Sequence, residues 1–185
     1  MIGVTAGIAL SRKDTGISDA SIGALMRIIS RSVQDTLHIG RAIAKNMRKG
    51  DIICLRGNLG SGKTVLAKGI AEGLGIRRSN VISPSFVLLR VHGQGRFPLY
   101  HFDLYRLVDP EDILALGYEE YLYGEGVAVI EWADRLSYLA PPECMQVELS
   151  FREDSKRLLK FKANGSRYQQ LLKDAHESRT FKKFN

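Results

Sequence analysis

Apolar residues fall at Val33, Leu37, Ile39, Ile43, Ala44 and Met47, close to helical spacing, and predict a helix over 33–47 closed by Gly50. The run Asp51-Ile-Ile-Cys-Leu55 changes character: it is short and continuously apolar, as in a strand buried on both faces. A glycine-rich stretch follows, and then a second helical segment, Thr64 to Leu74, closed by Gly75. Phe86 to Val91 and Phe97 to Leu104 read as strands separated by a turn at Gly93-Gln-Gly95. Pro110 to Leu116 carries a helix-start signature, with Asp109 as cap and Pro110 at the first helical position. Gly126 to Ile130 is another buried-strand run; Met145 to Phe151 and Arg157 to Ala163 are two late strands before a short basic helix.

Strands alternating with helices after a strand–loop–helix opening predict an α/β sandwich of three layers around a mainly parallel central sheet. Residues 1–25, rich in Gly, Ala and Ser, show no sustained period and predict a loose leader. The domain itself is expected over 26–165, with a basic tail over 166–185.

The glycine-rich stretch is chemically specific. Gly57-Asn58-Leu59-Gly60-Ser61-Gly62-Lys63-Thr64 matches the pattern G-x-x-x-x-G-K-[ST], and the flanking strand and helix are the context that pattern requires. Glycines let the backbone wrap closely around phosphate oxygens, and successive N–H groups converge on them as an anion nest. The following helix aims its positive end at the same place. Lys63 is expected to reach the outer phosphates of a nucleoside triphosphate, and Thr64 to offer its hydroxyl to Mg²⁺.

Such a site also needs an acid beside the metal, at the carboxyl end of a neighbouring strand. Glu131 directly follows Val127-Ala-Val-Ile130, and Asp103 ends Leu99-Tyr-His-Phe-Asp103, where alternation puts Leu99, His101 and Asp103 on one face. The expected division of labour sets Glu131 near the metal and Asp103 orienting or deprotonating a water. His101 reads as a satisfied structural histidine, with a hydrogen bond in the neighbourhood of Asp103 as the alternative. Ser83-Pro84-Ser85 reads either as a switch loop sensing the terminal phosphate or as a simple proline turn.

Composition adds boundaries. The chain has 185 residues, 44% hydrophobic and 25% charged, which suits one globular domain. Two cysteines, Cys54 and Cys144, are too few for a disulfide scaffold. No run approaches the roughly 18 apolar residues of a membrane span, and no basic residue precedes the apolar opening, so a cytoplasmic protein without membrane attachment is expected. Of the formal charge of +7, most lies in residues 152–185, with ten Lys or Arg against four Asp or Glu. That basic end is compatible with a solvated terminus or with contact to a polyanion such as RNA. The Asn-Lys-x-Asp element of guanine recognition is missing, and residues 134–142 offer only Arg135 where a kinase lid needs several arginines.

With GNLGSGKT come four further segments in order: SPSF (Ser83–Phe86), HFDLYRL (His101–Leu107), LGYEEYL (Leu116–Leu122) and IEW (Ile130–Trp132). Over about Thr36 to Gly165 the chain resembles the TsaE family, small bacterial ATPases of tRNA threonylcarbamoyladenosine biosynthesis. The resemblance implies slow hydrolysis of ATP with Mg²⁺, required for the modification of adenosine 37 in ANN-decoding tRNAs. It implies two partners, the transferase catalytic subunit and its inactive homologue (TsaD and TsaB type), which ATP hydrolysis resets between turnovers. A nucleotide-dependent interaction module with incidental hydrolysis is the main alternative. Carried over by motif, Lys63, Asp103 and Glu131 are catalytic; Thr64, Glu131 and Asp103 lie on the metal side. The nucleotide-binding set is Gly57, Asn58, Leu59, Gly60, Ser61, Gly62, Lys63, Thr64 and Val65, with Ser85 and Trp132. The chain departs from the family pattern at Asn58, where Asp is common, at Val65, where a second Thr is common, and at Ser85, where Thr is usual.

Overall fold

The computed structural model describes residues 25–84, 87–152 and 156–177. Its centre is built from β2 (Ile52–Arg56) and β5 (Val127–Glu131), apolar runs buried along nearly their whole length. They pair in parallel, with Leu55 opposite Glu131. On one side β6 (Cys144–Phe151) joins β2 in parallel; on the other, β4 (Leu99–Asp103) joins β5 in parallel, with Asp103 opposite Glu131.

Antiparallel strands close both flanks. β3 (Leu89–His92) pairs with β4, β7 (Arg157–Asn164) with β6, and β1 (Leu25–Ser30) with β7. The seven-stranded order is β1-β7-β6-β2-β5-β4-β3. The expected parallel sheet is therefore the four-strand centre of a mixed sheet.

Strand alternation sorts the core into two layers. Ile53, Leu55, Val127, Val129 and Leu99 face α1 (Val33–Lys45), α2 (Lys63–Gly73) and α5 (Ser166–Glu177). Ile52, Cys54, Ala128, Ile130 and Phe102 face α3 (Pro110–Leu114), α4 (Tyr118–Leu122) and the 3₁₀ segment Ala133–Leu139. Three layers result. No helix among the described residues is long and apolar enough to cross a membrane.

Local chemistry explains the element ends. Ser32 caps α1 by accepting from the Asp35 N–H, while the Asp35 carboxylate accepts from the Arg31 N–H, a reciprocal arrangement like a capping box. The helix ends at Lys45 with Asn46 as its cap. Gly50, expected to end it, instead takes φ +78° in the turn into β2 and donates to the Gly126 carbonyl. Asp109 caps α3 as expected, accepting from the Glu111 N–H, with Pro110 in the first turn.

α1 and α2 pack almost backbone to backbone. A Cβ at Gly69 would lie 2.5 Å from the Leu37 carbonyl oxygen, and one at Gly73 would lie 2.6 Å from Ala44 Cβ. This close seating fixes α2, and with it the loop that opens it, against α1.

Part of the basic C-terminal segment is woven into the body. Tyr168, Leu171, Leu172 and Ala175 of α5 are buried. The Tyr168 hydroxyl accepts from the Ile52 N–H, and Arg167 pairs with buried Asp51 while donating to the Asn46 carbonyl. Residues 178–185 lie outside the described residues, as do 1–24 of the expected leader.

Candidate nucleotide site

Three carboxyl strand ends converge. β2 runs into the loop 57–62, which opens α2 at Lys63; beside it β5 ends in Glu131 and β4 in Asp103. The register pairs Glu131 with Leu55 on one side and Asp103 on the other, so both acids stand next to the loop. A cleft of about 330 Å³ opens there, lined by Leu59, Gly60, Gly62, Lys63, Thr64 and Val65 from the loop and helix. Ser83, Asp103, Tyr105, Glu131 and Trp132 line its other wall.

The loop's backbone demands glycine. Gly57 has φ +133° and runs so close to β6 that a Cβ would meet the Leu149 carbonyl oxygen at 2.2 Å. Gly60 and Gly62 also take positive φ, at +78° and +106°. Asn58 accepts from the Ser61 N–H through its carbonyl, tightening the turn. Ser61 is buried, and among the described residues its hydroxyl has no hydrogen-bond partner.

The start of α2 is uncapped. Gly62 offers no side chain, and no acid sits in the first turn. Its leading N–H groups and dipole are thus left for an external anion. This is the polarity a phosphate chain fits.

Lys63 is 4% exposed. Its ammonium donates to the carbonyls of Gly57 at 2.7 Å and Asn58 at 3.0 Å and lies 3.8 Å from the centroid of the Trp132 ring. Burial lowers its pKa below the ordinary lysine value, opposed by the charges of Glu131, Asp103 and Asp134. A cation held at a mouth of carbonyls and acids is poised to transfer its hydrogen bonds to phosphate oxygens.

The acids are linked to hydroxyls. The Thr64 hydroxyl donates to Glu131 Oε2 at 2.8 Å. Asp103 accepts from the Ser83 hydroxyl through one oxygen and from the Tyr105 N–H, at 3.1 Å, through the other. Among the described residues no cluster of three or more His, Cys, Asp or Glu is arranged to hold a metal unaided. A hydroxyl and two carboxylates beside a phosphate nest fit Mg²⁺, which keeps waters and shares phosphate oxygens instead of taking an all-protein cage.

Every sequence-predicted site residue within the described residues lies in this loop or around this cleft; Ser85 lies outside them. Trp132 follows Glu131 in a left-handed conformation, φ +59°, which turns its ring across the cleft to Lys63 and within 4.9 Å of the Tyr105 ring. Tyr105 is an addition that sequence reasoning passed over, although it sits inside HFDLYRL. His101 is buried, as the structural reading has it, and its hydrogen-bond partner is Glu131 and not Asp103. The alternation that put His101 on the face of Asp103 was the available signal, but neighbouring strands decide its partner.

The profile of the TsaE family, described as threonylcarbamoyl adenosine biosynthesis protein TsaE, matches residues 30–159. The chain is similar to the tRNA threonylcarbamoyladenosine biosynthesis protein TsaE of Bacillus subtilis, with 39% identity over 76% of this chain and 87% of that protein. It is similar to the protein of that name from Treponema pallidum, with 42% identity over 71% and 96% of the two chains. Among solved structures it resembles Bacillus subtilis YdiB, with a TM-score of 0.73 and 34% identity, covering 83% of this chain and 95% of that one. A matching profile over the whole loop-and-acid core, full-length relatives and a shared fold place this chain in the TsaE family.

Proposed function

We propose that the protein binds ATP with Mg²⁺ in this cleft, hydrolyses it slowly, and thereby serves tRNA threonylcarbamoyladenosine formation in the cytoplasm. The observation that carries the reading is the convergence of Lys63, the Thr64–Glu131 pair and the Ser83–Asp103 pair on one cleft beside an uncapped helix start.

In this reading the loop N–H groups and the first turn of α2 bind the phosphates, and Lys63 moves its hydrogen bonds from Gly57 and Asn58 to the outer phosphate oxygens. Thr64 and Glu131 hold the metal side, with Asp103 near it. Bound Mg²⁺ supplies positive charge that neutralises phosphate oxygens. Asp103, freed from Ser83, orients the attacking water and accepts its proton. Trp132 and Tyr105 shield the site from bulk solvent.

The partners in this reading are the transferase catalytic subunit and its inactive homologue. The ATP-bound and hydrolysed states differ in what Ser83 and Asp103 hold, and so in the surface presented to those partners. The test is turnover measured alone and with the two partner subunits. Stimulation or ATP-dependent co-purification is expected; fast hydrolysis indifferent to both partners would overturn the resetting role.

A further inference from the structure

His101 is fully enclosed, with 0% exposure. Its Nε2 lies 2.8 Å from Glu131 Oε1. A carboxylate only accepts, so Nε2 carries a proton and donates. The other oxygen of Glu131 accepts from Thr64. Both oxygens of one carboxylate are thus held, one from behind by the sheet and one from in front by the phosphate loop's helix.

The placement is not a packing convenience. His101 stands opposite Val129 on β5, two residues before Glu131 and on the same face, so its ring reaches diagonally along the sheet to the carboxylate. Among the described residues its Nδ1 has no hydrogen-bond partner, although it is buried. An unpaired buried nitrogen is a cost that an apolar side chain of similar shape would avoid. Glu131 is the last residue of β5, and just past it the chain leaves the strand through the left-handed Trp132.

We infer that His101 is a positioning residue, which fixes the Glu131 carboxylate toward Thr64 before nucleotide and metal arrive. The inference rests on the reading of the cleft as a Mg²⁺–ATP site. A long, rotatable carboxylate that must be ordered on binding weakens binding, and a hydrogen bond from behind removes that cost in advance. Partners of this kind behind a metal-side group typically change affinity by about 10- to 100-fold.

The test compares His101→Gln, whose amide N–H reaches the place of Nε2, with His101→Asn, whose amide is too short. ATP binding is followed through the fluorescence of Trp132, the chain's single tryptophan, in Mg²⁺ and separately in EDTA. For His101→Asn, the Mg²⁺-dependent gain in affinity is expected to fall by roughly 10- to 100-fold, with the EDTA affinity equal to that of His101→Gln. His101→Gln is expected to keep most of the gain. Should His101→Asn not fold, His101→Met, which fills the space and donates nothing, replaces it under the same criteria. Equal Mg²⁺-dependent affinity in the Gln and non-donating variants, or equal losses in Mg²⁺ and EDTA, would overturn the positioning role. Absence of ATP binding by the wild-type protein would instead remove the parent reading, so the two failures are distinguishable.

Discussion

Thr64 and Glu131 are 67 positions apart in the chain and share a 2.8 Å hydrogen bond. Parallel pairing of β2 with β5 brings the acid at one strand tip to the helix that the other strand leads into. The hydroxyl and carboxylate are thereby placed on one side of the phosphate loop.

Glu131→Ala is expected to reduce Mg²⁺-dependent ATP turnover by at least about tenfold while leaving nucleotide binding in EDTA nearly intact. Titrations with and without the metal check it. Equal losses in both conditions would mean that Glu131 supports the fold instead of the metal side.

Lys63→Ala removes the only side-chain cation lining the cleft among the described residues. Charge-assisted hydrogen bonds contribute about 1.5–3 kcal/mol, so ATP affinity should drop by roughly 10- to 100-fold or more. The tryptophan emission of the free protein should shift too, because the ammonium lies over the Trp132 ring. Undiminished ATP binding by this variant would reject the site.

Gly57→Ala and Gly60→Ala separate steric from conformational demands. A methyl at Gly57 collides with the Leu149 carbonyl at 2.2 Å, whereas one at Gly60 meets only the Phe151 ring at 3.8 Å. Gly60→Ala should cost about 1–2 kcal/mol from its positive φ alone. Gly57→Ala should cost more and displace the loop from β6. Urea unfolding with ATP titration orders the two; the reverse order would contradict the close approach.

Arg167→Ala leaves the carboxylate of Asp51, 4% exposed as a side chain, without its ionic partner. Stripping one member from a fully buried pair costs about 3–5 kcal/mol. Arg167 keeps 22% exposure, so about 2 kcal/mol is expected, measured as a fall in unfolding free energy. An unchanged midpoint would show that the Arg167–Asp51 pair does not help to hold α5, leaving that to its apolar face and the Tyr168–Ile52 hydrogen bond.

His92 gives a pH signature. Burial, and then nearby His101 and Arg90, lower its pKa from the ordinary 6.5. As pH falls through 6.5 the unfolded chain takes up this proton while the folded chain resists. The unfolded state therefore binds more protons, and stability declines below that pH until the folded-state pKa is passed. His92→Asn should flatten this part of the stability–pH curve; an unaltered slope would place the acid sensitivity elsewhere.

Local pattern made the helices over 33–45, 63–73 and 110–114 legible to within a few residues, because caps and apolar periods are properties of neighbours in sequence. The edge strand β1 escaped, since Leu25–Ser30 is short and half-exposed and owes its extension to pairing with β7. β3 begins at Leu89, later than the apolar run suggested, and Leu88 just before it sits at φ +63°.

What the sequence by itself determined is the phosphate loop, the strand and helix around it, and the two strands ending in acids, for each is written in contiguous residues. Only the tertiary structure decided who meets whom: Thr64 and His101 on Glu131, Ser83 on Asp103, Lys63 over Trp132. Strand order and register join segments far apart in the chain, and they are chosen by the burial of two whole sheet faces, a collective energy that no local stretch carries.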